Sequence, residues 1–124
     1  LGQAHAQQAQ PAPVREFTKI AGEVYRFRNN FHYSVFAVTP DGKRVFVSNG
    51  RDPSVMAIDT ASNTVVASVE VGKRPWNMAL TRDGGKLYVA NGRSNSVSVI
   101  DTAKNVLVKD IPVGDTPWGV AIFE

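Results

Sequence analysis

Leu87-Tyr88-Val89-Ala90-Asn91-Gly92-Arg93 repeats, 42 residues later, Val45-Phe46-Val47-Ser48-Asn49-Gly50-Arg51. The match extends outward in both directions. Thr39 answers Thr81, Asp41-Gly42 answers Asp83-Gly84, Ile58-Asp59-Thr60-Ala61 answers Ile100-Asp101-Thr102-Ala103, and Pro75-Trp76 answers Pro117-Trp118. Aligning 37–78 with 79–120 gives 20 identities in 42 positions without a gap. A fixed period of roughly 20–50 residues marks a solenoid or propeller, in which one repeat cannot bury its own apolar faces.

Each repeat holds four short runs rich in Val, Ile, aromatics and Ser/Thr, separated by turn residues. Strands are expected near 35–39, 45–48, 55–59 and 65–69, then near 77–81, 87–90, 97–101 and 106–111, with a further first strand at 119–123. Asp41-Gly42 and Asp83-Gly84 are hairpin signals, because glycine accepts positive φ. No segment shows a 3.6-residue apolar period, so no helix is expected. Four antiparallel strands per repeat make the blade of an all-β propeller.

Leu87–Gly92, Val99-Ile100-Asp101-Thr102 and Val113-Gly114-Asp115-Thr116-Pro117-Trp118-Gly119-Val120 resemble the YVTN-type propeller repeat, and 45–50 is the equivalent in the first copy. The resemblance covers 35–123. It implies a propeller blade, in a family of exported and surface proteins whose complete members are usually seven-bladed or similar. Related propellers include lactonases and the haem d1 domain of nitrite reductases, so the resemblance implies a fold more than a function.

The front differs. Phe17 to Asn30 reads as a hairpin turning at Ala21-Gly22. Followed by 34–42, it faintly resembles the opening meander of metallo-β-lactamase-fold hydrolases. That family's zinc cluster needs several histidines and an aspartate, and this chain has only His5 and His32, so no zinc role carries over and no metal site is expected. If both resemblances hold, the chain joins two families. The expected organisation is a disordered lead-in at 1–13, a hairpin at 14–34, and two blades at 35–76 and 77–118 with the first strand of a third.

Composition bounds the rest. Cysteine is absent, which excludes disulfides and thiolate ligands. The net charge of +3 is spread along the chain, unlike the gathered basic face of a nucleic-acid binder, so no nucleic-acid partner is expected. No apolar run reaches the roughly 18 residues of a membrane span. Leu1 to Pro13 is rich in Ala, Gln and Pro, and Ala4-His5-Ala6 has the small-x-small form of a signal-peptidase site. A periplasmic or exported location is one expectation, and an Ala-rich tail without meaning is the other.

Two blades cannot close a ring, since propellers have four or more. The chain assembles with copies of itself, or is a fragment of a longer protein, or is engineered. Self-assembly is the expectation carried forward. A trimer contributing two blades per chain gives six. A dimer also gives six if 15–30 supply two strands of a shared blade, but that blade lacks a second strand, so the trimer is preferred.

In a four-strand meander the second-to-third turn and the connection to the next repeat lie at one end of the blade. That end gathers Asn49, Arg51, Lys73, Arg74, Trp76, Asn91, Arg93 and Trp118. Arg beside Trp and Asn suits a small anionic or sugar ligand. The competing reading is that Asn-Gly serves turn geometry and Trp fills the space between blades. Asp41, Asp83, Asp59 and Asp101 are expected to hydrogen-bond their own turns rather than act as catalytic pairs. Tyr25, Phe27, Phe31, Tyr33 and Phe36 are expected in the core or at an interface. His32 has no convergent partner. No catalytic set, phosphate loop or cofactor motif is present. The first functional reading is therefore a non-enzymatic binding or scaffold module. The rival is a lactonase-like or haem-associated propeller enzyme with its site in the central channel.

Overall fold

The computed structural model describes residue 12, residues 14–30 and residues 32–124. The expectations for the lead-in and for Phe31 lie outside these residues. The described residues form ten strands and no helix: β1 (Arg15–Ala21), β2 (Val24–Asn29), β3 (His32–Val38), β4 (Arg44–Asn49), β5 (Ser54–Asp59), β6 (Thr64–Glu70), β7 (Pro75–Leu80), β8 (Lys86–Asn91), β9 (Ser96–Asp101) and β10 (Val106–Pro112). β1 to β6 make one antiparallel meander, and β7 to β10 make a second sheet of four. The all-β propeller-blade architecture read from the repeat is present.

The two copies repeat their register as well as their sequence. Val45 faces Ile58 and Phe46 faces Ala57. Shifted by the repeat length, Leu87 faces Ile100 and Tyr88 faces Val99. The turns repeat atom for atom. Thr39 Oγ1 donates to Asp41 Oδ1 at 2.7 Å and Lys43 N donates to the same oxygen at 2.9 Å. Thr81 Oγ1 and Gly85 N do the same to Asp83 Oδ1, at 2.7 and 2.8 Å. Gly42 and Gly84 hold φ of 71° and 76°, which favours the residue without a Cβ.

The sheets stack face to face, with β3 and β4 against β7. Val24, Val35, Ala37, Phe46, Val55, Ala57 and Val69 from the first sheet share one buried cluster with Met78, Leu87, Val89 and Ile100 from the second. This is two-layer burial, each sheet hiding one face against the other.

Two features depart from the sequence reading. The front hairpin ladders onto the first blade, β2 pairing with β3 from Val24↔Ala37 to Asn29↔His32, so the first sheet has six strands. The strand expected at 119–123 does not form. A strand needs a ladder, and in the complete repeat β7 ladders with β8 of the same repeat. The described residues offer 119–123 no partner strand. Pro117–Glu124 instead lies beside the second sheet, where Arg82 N donates to Glu124 Oε1 and the Arg82 guanidinium to the Glu124 carbonyl, both at 2.7 Å.

Candidate functional site

The connection from β6 to β7 builds one end of the stack. Arg74 takes φ of 57°, and Thr116, at the same repeat position, takes 51°. This left-handed residue turns the chain into the next first strand. The connection is tied to the turn after β8: Gly92 N donates to Arg74 O at 2.8 Å, Arg93 N to Lys73 O at 3.1 Å, and Lys73 N to Ser94 Oγ at 2.7 Å. Trp76 follows and lies flat on Gly92. A Cβ at Gly92 would sit 2.2 Å from the Trp76 ring, so the indole occupies the space a side chain would need. Trp118 stacks on the other side of Trp76, ring centroids 4.5 Å apart and planes 24° from parallel. Trp118 itself is 71% exposed.

Beside this stack opens a cleft of about 880 Å³ between the two sheets. Asn49, Gly50, Arg51 and Asp52 line it from the turn after β4, and Arg74, Trp76, Asn77 and Trp118 from the second repeat. Ile20, Arg26 and Tyr33 close the third side. The Arg26 guanidinium sits 5.0 Å from the Tyr33 ring centre, a cation–π distance, and Tyr33 is 53% exposed. Three arginines thus face one carboxylate. Arg26, Arg51 and Arg74 form no ion pair with any described residue.

Of the eight residues singled out by sequence, the structure brings Asn49, Arg51, Arg74, Trp76 and Trp118 to this cleft. Three do not belong to it. Asn91 is fully buried, its Nδ2 donating to Ser96 Oγ at 3.1 Å and Ser98 Oγ at 2.8 Å, with Gly72 packed so closely that a Cβ there would lie 2.7 Å from its side chain. It is a structural pin; its repeat partner Asn49 likewise donates Nδ2 to Ser54 Oγ, at 2.8 Å, but also lines the cleft. Lys73 contributes backbone to the joint, and Arg93 projects from the turn it anchors; both side chains are exposed. The competing reading has Trp118 filling the space between blades; most of its surface is open.

Arg26 escaped the sequence reading, and Tyr33, expected in the core or at an interface, is exposed at the cleft instead. Their signal is strand alternation: Arg26 pairs with Val35, so it shares the inward face, and Tyr33 lies two residues from Val35 on the same side. Seeing this required knowing that β2 ladders onto β3. Tyr25, Phe27 and Phe36 do cluster, Tyr25 stacking on Phe36 at 5.3 Å, but on the opposite face.

The aspartates behave as turn residues. Backbone N–H donation from Lys43, then the Thr39 hydroxyl, holds the Asp41 carboxyl below its ordinary value, and Gly85 N–H with the Thr81 hydroxyl does so for Asp83. Asp59 is lowered by the Ser62 N–H and hydroxyl, with Arg44 adding charge at 3.1 Å. Asp101 Oδ1 accepts from Ala103 N and Lys104 N, both at 3.0 Å. No group of three or more metal-ligating side chains occurs among the described residues.

Among solved structures, Kuenenia stuttgartiensis hydrazine synthase is similar over 68% of this chain and 24% of its own, at 40% identity and a TM-score of 0.64. A functionally unknown protein of Desulfotomaculum acetoxidans matches 94% of the chain and 47% of its own at 16% identity and a TM-score of 0.64. A 6-phosphogluconolactonase-like protein of Bacteroides fragilis matches 86% and 40% at 23% identity and a TM-score of 0.56. At these two lower identities the likeness shows the fold alone. The chain spans about a quarter to a half of the length of these proteins. No curated protein matches it. The family description YNCE-like beta-propeller matches residues 25–124, covering both repeats and all of the cleft lining but Ile20. The chain belongs to the YNCE-like β-propeller family.

Proposed function

We propose that the chain is a binding module whose cleft takes a small anionic ligand with a flat or ring-shaped body, a sugar acid being the class that fits best. The observation that carries this is the pairing of three arginines, none in an ion pair among the described residues, with the exposed Trp118 face in one cleft. Guanidinium forks hold a carboxylate through charge-assisted pairs, while an indole face takes a sugar ring or other flat body.

Trp76 and Trp118 are the two tryptophans of the sequence, so intrinsic fluorescence reports on this cleft directly. Titration with glucuronate should give saturable quenching that weakens with salt, and glucose should give little. Arg51→Gln with Arg74→Gln should weaken glucuronate at least about tenfold, since a hydrogen bond to a charged group contributes roughly 1.5–3 kcal/mol. No saturable change with glucuronate or phosphate beyond about 1 mM would reject the reading.

A second reading has its own support in the 40% identity to a segment of hydrazine synthase. In that case the chain is part of an enzyme's propeller. Turnover of a lactone, abolished by one polar cleft substitution that leaves the fold intact, would favour it over simple binding. Export is proposed from Ala4-His5-Ala6 alone. Mature protein beginning near Gln7 supports it, and a start elsewhere contradicts it.

A further inference from the structure

Asn-Gly occurs twice, at Asn49-Gly50 and at the same place in the second repeat, Asn91-Gly92. The pair has its own chemistry. The backbone nitrogen after an asparagine can attack the side-chain amide carbon and expel ammonia, and glycine adds no side chain to hinder the approach. The second repeat closes this route. Asn91 is fully buried, and its strand is laddered on both sides, to Ser96 and to Pro75. Its amide nitrogen is held by the Ser96 and Ser98 hydroxyls. Gly92 N already donates to Arg74 O at 2.8 Å. The Trp76 ring fills the space over Gly92, and Gly72 packs against the Asn91 side chain. The attacking nitrogen is engaged, and the ring that would form has no room.

The first repeat leaves the route open. Asn49 ladders to Ser54 on one side, but on the other the ladder between β3 and β4 ends at Phe36↔Val47 and does not reach it. Gly50 N donates to no group among the described residues. Nothing lies within 4 Å of the point where a Cβ on Gly50 would stand. Asn49 and Gly50 are both half-buried, and both line the cleft. A single hydrogen bond, Asn49 Nδ2 to Ser54 Oγ at 2.8 Å, holds the amide.

We propose that Asn49 is a site of spontaneous deamidation, and that the carboxylate it produces loosens the hold of the cleft on an anion. The Gly50 nitrogen bonds to Asn49 Cγ, the Cγ–Nδ2 bond breaks, and the Gly50 N–H proton leaves with Nδ2 as ammonia. Water then opens the succinimide: its hydroxyl adds to one of the two ring carbonyl carbons and its proton returns to the nitrogen. The product is aspartate or isoaspartate, with no change of oxidation state. The new negative charge lies in the cleft lining, beside Arg26, Arg51, Asp52 and Arg74. It pairs with a guanidinium that would otherwise hold the ligand and repels the ligand itself. The chemistry at Asn49 stands on local geometry alone; its effect on binding rests on the anion reading of the cleft.

Peptide mapping by mass spectrometry follows both asparagines in one sample of the folded chain, held in warm, mildly alkaline buffer. Asn49 should convert at least about tenfold faster than Asn91, which reacts only through local opening of its strand. In urea the two should convert at similar rates, since both are followed by Gly-Arg. Gly50→Ala should slow conversion at Asn49 and leave Asn91 unchanged. Asn49→Asp makes the aspartate product directly. It should weaken glucuronate about fivefold in the tryptophan titration, the order expected for a like charge a few ångströms from a bound carboxylate in water. Equal rates in the folded chain, or faster conversion at Asn91, overturn the site. Full affinity of Asn49→Asp for glucuronate overturns its effect on the cleft. A wild-type chain that ignores glucuronate rejects the anion reading and with it the effect on binding, while the conversion rates still decide the modification.

Discussion

Gly92 and Trp76 share one volume. The indole packs where a Cβ would be, so Gly92→Ala forces either the backbone or the ring to move. Overpacking of this kind costs about 1–3 kcal/mol, and the substitution should lower the urea midpoint and alter tryptophan emission together. The two tryptophans, alike in sequence, should respond differently. Trp76→Ala removes a half-buried ring held between Gly92 and Trp118, whereas Trp118→Ala removes an exposed one and should cost only the stacking, about 0.5–1.5 kcal/mol. Equal losses from both, measured by thermal melts, would mean that Trp118 is covered in solution. Thr116 offers the reverse experiment. A β-branched residue at φ of 51° is strained, and left-handed backbone costs an L-residue about 1–2 kcal/mol. Thr116→Gly should therefore raise the melting temperature unless the added chain entropy of glycine consumes the gain.

The hairpin turns set the pH response. The Asp41, Asp59 and Asp83 carboxyls are held below the ordinary 3.8 by turn N–H groups and hydroxyls. A depressed folded-state value means the unfolded chain binds protons first. The contribution is present above the ordinary value and disappears as pH falls through the folded values. Urea midpoints should be flat from pH 7 to about 5 and drop below about 4. Asp83→Asn should flatten that drop while lowering the midpoint at neutral pH. These turns were readable from sequence because Asp-Gly chemistry is local. So were the ladder partners inside each repeat, for the same reason. The hairpin's attachment to β3 was not, since strand pairing across His32 depends on which neighbour wins the edge. Arg26 and the cleft position of Tyr33 stayed hidden with it, although Arg51, Arg74 and the tryptophans were found from loop direction alone. Asn91 misled because both asparagines pin a turn serine, Asn49 to Ser54 and Asn91 to Ser96, and nothing local says that Gly72 closes over Asn91 while Asn49 reaches the cleft.

For the molecule as a whole, the repeat governs both what is satisfied and what is left open. One inter-sheet interface is complete, burying Phe46, Val55 and Ala57 of the first sheet against Met78, Leu87 and Ile100 of the second. If copies of the chain associate, folding and association are linked, and the melting temperature should rise with protein concentration. A melting temperature constant over a hundredfold range would instead describe a self-sufficient pair of blades.

Both repeats fold as the same blade, in the same register, stacked face to face. Nuclear magnetic resonance contacts between backbone protons test it most directly. The account predicts cross-strand contacts joining Val45 to Ile58 and Val47 to Met56, and the same pattern displaced by the repeat, joining Leu87 to Ile100 and Val89 to Ser98. It also predicts side-chain contacts from Phe46 across to the buried apolar residues of the second sheet. Two copies with different registers, or matching registers without any contact between the sheets, would contradict it.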